Sequence, residues 1–250
     1  MMSLHGTVAI VIGGTSGIGK ATCLQLAKQG AKVIVGCFGN ELSAEAIVSE
    51  IVAHGGEAVS IPADPRSSEQ MERLADAVMH AFGRIDVLVC NASHSAEAAS
   101  FAELSWDSFE QQLTGELKAA FEPTKAVIPV MTAQQFGRII YLSSTEGKDP
   151  SPPYIAFGTA KGGLDAFARY IAQEFGPDGI TANVVASGFV RTDGPFTISE
   201  DEGRVIGSLT PLRRIAEPED VAGMISFLAG DGARFLTGTY TPVTGGLVME

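Results

Sequence analysis

The chain has 250 residues, 45% of them hydrophobic, and a formal net charge of −12. That length suits one domain with a large core, and the acidic balance argues against nucleic acid or an anionic membrane as partner. Cys23, Cys37 and Cys90 are few and scattered, with no CxxC or metal-ligand spacing, so a reducing compartment and no metal site are expected.

The first apolar run, 8–12, is too short to cross a bilayer and follows no charged leader. It reads as the first strand of a cytoplasmic protein. Further strands are predicted at 32–36, 58–61, 87–90, 138–142, 181–185 and 239–243. Each is short and mostly rich in Val and Ile, as strands covered on both faces should be. Amphipathic stretches at 20–29, 44–54, 69–82 and 163–175 alternate with them. Sustained alternation predicts an α/β Rossmann-type fold, a three-layer α/β/α sandwich around a seven-stranded parallel sheet. No linker or repeat interrupts residues 1–250, which read as a single nucleotide-binding domain. The weakly patterned stretch 193–209 is predicted to be a substrate lid, because long loops in compact domains are often functional.

Gly13-Gly-Thr15-Ser16-Gly17-Ile18-Gly19 follows the first predicted strand and opens a helix. Glycines there let the backbone turn tightly and approach a pyrophosphate, which the helix N-terminus then attracts. Sites that prefer NAD place an acid at the end of the second strand to hold the ribose 2′-hydroxyl. Here that stretch reads Val35-Gly36-Cys37-Phe38-Gly39-Asn40, with neither an acid nor a base for a 2′-phosphate. The missing acid removes a repulsion, so NADP(H) is expected over NAD(H), with Phe38 part of the site.

Tyr154-Ile-Ala-Phe157-Gly158-Thr-Ala-Lys161 is the candidate catalytic segment. Pro152-Pro153 suits a helix start, since proline at the first helical position loses no useful N–H. Four residues of helix advance about 400° and seven about 700°, so Phe157 and Tyr154 share a face with Lys161. Phe157 has no proton to give, whereas the Tyr154 hydroxyl can serve as the acid. Ser143-Ser144 follow the fifth predicted strand.

These segments resemble the short-chain dehydrogenase/reductase superfamily over essentially the whole chain. The G-x3-G-x-G spacing resembles its fingerprint, with Ile12 where Thr is usual. The family's tyrosine normally lies four residues before the lysine. The Y-x6-K spacing seen here, with a bulky apolar residue and Gly between, resembles the enoyl-acyl-carrier-protein reductases, on a body like that of 3-oxoacyl reductases. Gly39-Asn40 is similar to NADPH-using acyl-carrier reductases. The resemblance implies that Asp64 contacts the adenine. It puts Asn91 and Ala92 in the turn after the fourth strand, with Cys90 and Ser93 as departures. Asn183-Val-Val-Ala-Ser187-Gly188-Phe-Val190-Arg-Thr192 resembles the segment beside the nicotinamide, Ser187 replacing the usual Pro. Thr244-Gly-Gly246 resembles the C-terminal D-G-G.

By the same resemblance, Ser144 binds substrate and Lys161 both holds the nicotinamide ribose and stabilises charge near the tyrosine. Glu116 aligns with the family's relay Asn, or is a solvated helix residue. His94 borders the substrate pocket, though it reads as a surface residue. The implied activity is reduction of an acyl thioester, carried by CoA or an acyl carrier protein, foremost its enoyl C=C bond. Alternatives are a 3-oxoacyl-thioester reductase using the displaced Tyr154, and a non-catalytic nucleotide-binding subunit. A homotetramer through helices at 101–131 and 154–175 is also implied. The acidic run 199–202 would repel an acidic carrier protein and favour CoA.

Overall fold

The computed structural model describes residues 3–93, 98–192 and 199–249. Strands and helices alternate as β1 (Val8–Ile12), α1 (Gly17–Lys28), β2 (Lys32–Cys37), α2 (Glu41–Ala53), β3 (Glu57–Pro62), α3 (Ser68–Phe82), β4 (Val87–Cys90) and α4 (Trp106–Gln134). They continue as β5 (Gly137–Ser144), α5 (Ile155–Phe175), β6 (Ile180–Ser187), α6 (Glu200–Leu209), α7 (Pro218–Ala229) and β7 (Tyr240–Val243). All seven predicted strands are present. The helix α7 was not anticipated, and the predicted lid resolves partly into α6; residues 193–198 of it lie outside the described residues.

The sheet is parallel throughout, in the order β3-β2-β1-β4-β5-β6-β7. The order reverses between β1 and β4. In open α/β sheets a crevice forms there, beyond the carboxyl ends of the strands. Alternate residues of each strand feed two separate cores. Ala9 and Val11 of β1 pack with Leu26 of α1, Ile47 of α2 and Ile225 of α7. Val8, Ile10 and Ile12 pack with Met71 of α3, Met131 of α4 and Leu164 of α5. The period of two therefore sends every strand's side chains into both layers.

Local chemistry sets the helix ends. Ser67 and Ser105 accept the backbone N–H three residues on, capping α3 and α4. A reciprocal Ser199–Glu202 box starts α6. Among the described residues no helix is long and apolar enough to cross a membrane.

Candidate functional site

The glycine turn sits at the sheet's switch point. The amides of Gly13 and Gly14 donate to the Gly36 carbonyl, at 3.1 and 3.2 Å, which folds the chain sharply off β1. Gly13 has φ +76°, and a Cβ there would lie 2.7 Å from the Ala92 nitrogen. At Gly19 a Cβ would run into the Gly13 carbonyl. Asn91 locks the turn by donating its side-chain amide to that carbonyl at 2.7 Å. Ser16 precedes α1 and its side chain makes no cap hydrogen bond; a helix N-terminus attracts an anion.

A cavity of about 420 Å³ opens beside this turn. Thr15, Ser16, Gly17 and Ile18 line it from the turn, Phe38 from beyond β2, Asn91 and Ala92 from beyond β4, and Thr192 from beyond β6. Gly188 and Val190, expected in the cofactor site, do not line this cavity: Gly188 lies against Thr244, and the buried Val190 bridges to Ala216. A larger cleft of about 640 Å³ lies along α6. Its arginines are engaged with Glu217, Asp201, Asp220 and the Ser208 carbonyl, and it holds none of the glycine turn or Lys161. The smaller cavity holds the glycine turn; Ser144, Tyr154 and Lys161 are not among the residues that line it. Its helix N-terminus and glycine-lined floor fit the pyrophosphate of a dinucleotide.

Asp64 does not line that cavity; its neighbours Pro65 and Arg66 do. Its carboxylate accepts from Arg66 Nε at 2.9 Å, Nη2 at 3.0 Å and the Arg66 backbone N–H at 2.9 Å. The guanidinium holds this carboxyl below the usual carboxylate range. Asp64 thus fixes Arg66 at the rim, where a direct adenine contact had been expected of it.

The second half of the site is built by β5 and α5. Ser144, at the end of β5, accepts the Glu146 N–H at 3.3 Å and starts a single 3-10 turn, 145–147. That turn lies directly on α5. A Cβ on Gly158 would stand 2.7 Å from the Glu146 carbonyl, and one on Gly147 2.9 Å from the Gly162 nitrogen. The Gly after Phe157 is therefore a packing requirement.

Tyr154 is the N-cap of α5, just outside the helix rather than inside it as expected. Its ψ of +33° is not helical, and its N–H donates to Ser151 O at 3.2 Å in the preceding turn. The helix begins at Ile155 because Tyr154 O is the first carbonyl to accept within it, from Gly158 N at 2.8 Å. Pro153 consequently precedes the cap, where its missing N–H is again harmless.

Lys161 is 4% exposed. Its ammonium contacts Glu116 Oε2 at 2.8 Å, donates to Leu142 O at 3.2 Å, and lies 5.3 Å from the Phe157 ring centre. Helical side chains tilt toward the N-terminus, so Lys161 leans over Phe157 in the direction of Tyr154. Glu116 is buried, which rules out the solvated reading. Ser93 Oγ donates to its other oxygen at 2.5 Å, joining α4 to the cavity wall after β4. His94 lies outside the described residues.

Asp165, one turn beyond Lys161 on α5, is 3% exposed. Burial pushes its carboxyl up. The Ser143 hydroxyl beside it, at a geometry short of a hydrogen bond, offsets this only in part, as do the cations Lys148, Lys161 and Arg169. A carboxyl whose pKa is raised by folding stabilises the folded state least where it is charged in the unfolded chain, so this penalty grows as pH rises above the ordinary Asp range. Asp165→Asn should raise the melting temperature at pH 8 and change it little near pH 4, as read by calorimetry across that range.

Residues 13–248 match the family described as Enoyl-(Acyl carrier protein) reductase. The chain is 37% identical to a 3-oxoacyl-[acyl-carrier-protein] reductase of Synechocystis sp., over the full length of both. It is 33% identical to a 3-oxoacyl-[acyl-carrier-protein] reductase of Pseudomonas aeruginosa, again over both full lengths. It is also 33% identical to an acetoacetyl-CoA reductase of Allochromatium vinosum, over 97% of this chain and 99% of the relative. With the switch-point cavity, the glycine turn and the lysine of α5, these likenesses make the chain an oxidoreductase of a nicotinamide-using family, the short-chain dehydrogenase/reductase superfamily, to which it belongs.

Proposed function

We propose that this protein is an NADPH-preferring reductase of acyl thioesters, and that the group it reduces is the 3-oxo carbonyl. Full-length likeness to relatives named for that substrate class is the observation that carries the reading. It moves the weight from the enoyl bond, favoured by the Y-x6-K spacing, to the ketone. Ser144 at the end of β5 supports it, since a hydroxyl there can orient a carbonyl.

A nicotinamide dinucleotide held in this site would supply the hydride. The Gly13–Gly19 turn and the first amides of α1 hold its pyrophosphate, while Asn91, Ala92, Gly188, Val190 and Thr192 shape the far end of the site. Ser144 donates a hydrogen bond to the substrate carbonyl and so fixes its direction. Negative charge develops on that oxygen during reduction. Tyr154 gives it a proton, and the ammonium of Lys161 stabilises the charge left behind. Glu116 keeps Lys161 aimed along the helix. The chain acts as one cytoplasmic domain, with the helices at 101–131 and 154–175 as the faces of a homotetramer. Glu200, Asp201 and Glu202 on α6 favour a CoA ester over an acidic carrier protein.

A second reading, enoyl reduction, is favoured by Phe157, which puts no hydroxyl one turn before Lys161. Purified protein offered NADPH and NADH with acetoacetyl-CoA and crotonyl-CoA separates the two by nicotinamide absorbance. Oxidation of NADPH with acetoacetyl-CoA is expected. Turnover of crotonyl-CoA alone would establish the enoyl reading, and nucleotide binding without turnover of either would leave a nucleotide-holding subunit.

A further inference from the structure

The end of β2 carries no base of its own, yet the fold brings one there from the neighbouring strand. Arg66, two residues past Asp64 in the β3–α3 connection, places its guanidinium 5.5 Å from the centre of the Phe38 ring. Both side chains line the dinucleotide cavity. β2 and β3 pair in register up to Cys37 and Pro62, so the segments that follow them emerge side by side.

The guanidinium is held by one edge. Nε and Nη2 are committed to Asp64, while among the described residues no hydrogen bond uses Nη1. An arginine has five N–H donors in a rigid fork, so one face of the fork is anchored and another is presented at the rim. Glu41 and Glu45 lie close enough to Cys37 to add to the burial that pushes its thiol up. Near this end of the cavity the cation Lys118 also acts, together with Arg66, on Asp64. The start of α2 adds a weaker attraction: Asn40 makes no side-chain cap, its oxygen accepting from the Ser43 hydroxyl instead.

We propose that Arg66 is the cofactor-selecting residue, binding the 2′-phosphate that distinguishes NADP(H) from NAD(H), with Asp64 as the residue that positions it. This deepens the reductase reading and rests on its dinucleotide site. A planar, doubly anchored guanidinium suits a phosphate dianion better than a mobile ammonium. The Phe38 ring lies beside the fork.

The test is calorimetric binding of NADP⁺ and NAD⁺ to the intact protein, without any acyl substrate. The unmodified protein should bind NADP⁺ more tightly. Arg66→Leu should weaken NADP⁺ about 30- to 100-fold and NAD⁺ less than about threefold, reversing the preference. Arg66→Lys, which keeps the charge without the fork, should fall between the two. Equal weakening of both nucleotides by Arg66→Leu, or of neither, would overturn the assignment while leaving the reductase reading intact. So would tighter binding of NAD⁺ by the unmodified protein. Failure of the unmodified protein to bind either nucleotide would overturn both.

Discussion

Tyr154→Phe is expected to lower turnover about 100- to 1,000-fold, the range typical of losing a positioned acid or a donor to a developing oxyanion. The change removes one oxygen from a cap that is 37% exposed, so folding should be little affected. Nucleotide affinity should also hold, because the cavity beside the glycine turn is lined by other residues. The position of Lys161 makes the effect large. Its ammonium already leans across Phe157, and the next residue along that face with a proton to give is Tyr154. Phe157→Leu supplies the contrast, since neither side chain can donate, and activity should stay within about tenfold, the change being one of packing alone. Single-turnover rates with NADPH, beside binding titrations, check both. Undiminished turnover in Tyr154→Phe would mean that a different group protonates the product.

Lys161→Met is expected to damage stability as well as chemistry. The ammonium and the Glu116 carboxylate are both almost fully buried, 2.8 Å apart. Breaking such a pair from one side leaves a charge in a poor solvent, at a cost of about 3 kcal/mol or somewhat more. In a chain of this size that corresponds to a fall in melting temperature of about 6–12 °C. Turnover should become undetectable. Adding Glu116→Gln to Lys161→Met should recover a good part of the melting temperature, because removing both charges is far less costly than removing one. A double variant no more stable than the single one would show that the pair adds little to folding. Neither variant should recover activity.

The sequence made the nucleotide half of the site legible because its signals are local. A short apolar run, a cluster of glycines and a helix start are contiguous between residues 8 and 28, and the turn they form depends on backbone conformation. The all-parallel sheet was legible for a similar reason, as the inner strands β1, β2 and β4 are brief apolar runs buried on both faces. The other half depends on partners far apart in the chain. Glu116 and Lys161 are on different helices, and only the packing of α4 against α5 shows that the acid is a buried counter-ion. Arg66 went unnoticed because the base was sought at the end of β2, where it would have been adjacent in sequence; it comes instead from beyond β3. α5 starts two residues later than Pro153 suggests, since proline's fixed φ suits the turn before a helix as well as its first position.

The glycine contacts between the 145–147 turn and α5 carry a consequence for how such a site can diverge. Backbone touches backbone at Gly147, Gly158 and Gly162, so there is no layer of side chains whose remodelling could slide or tilt one piece relative to the other. The interval between strand end and helix is in effect a fixed gauge. Chemical novelty must then come from moving functional groups along an unmoving rail, one helical turn at a time, and a hydroxyl at 154 with none at 157 is one such step.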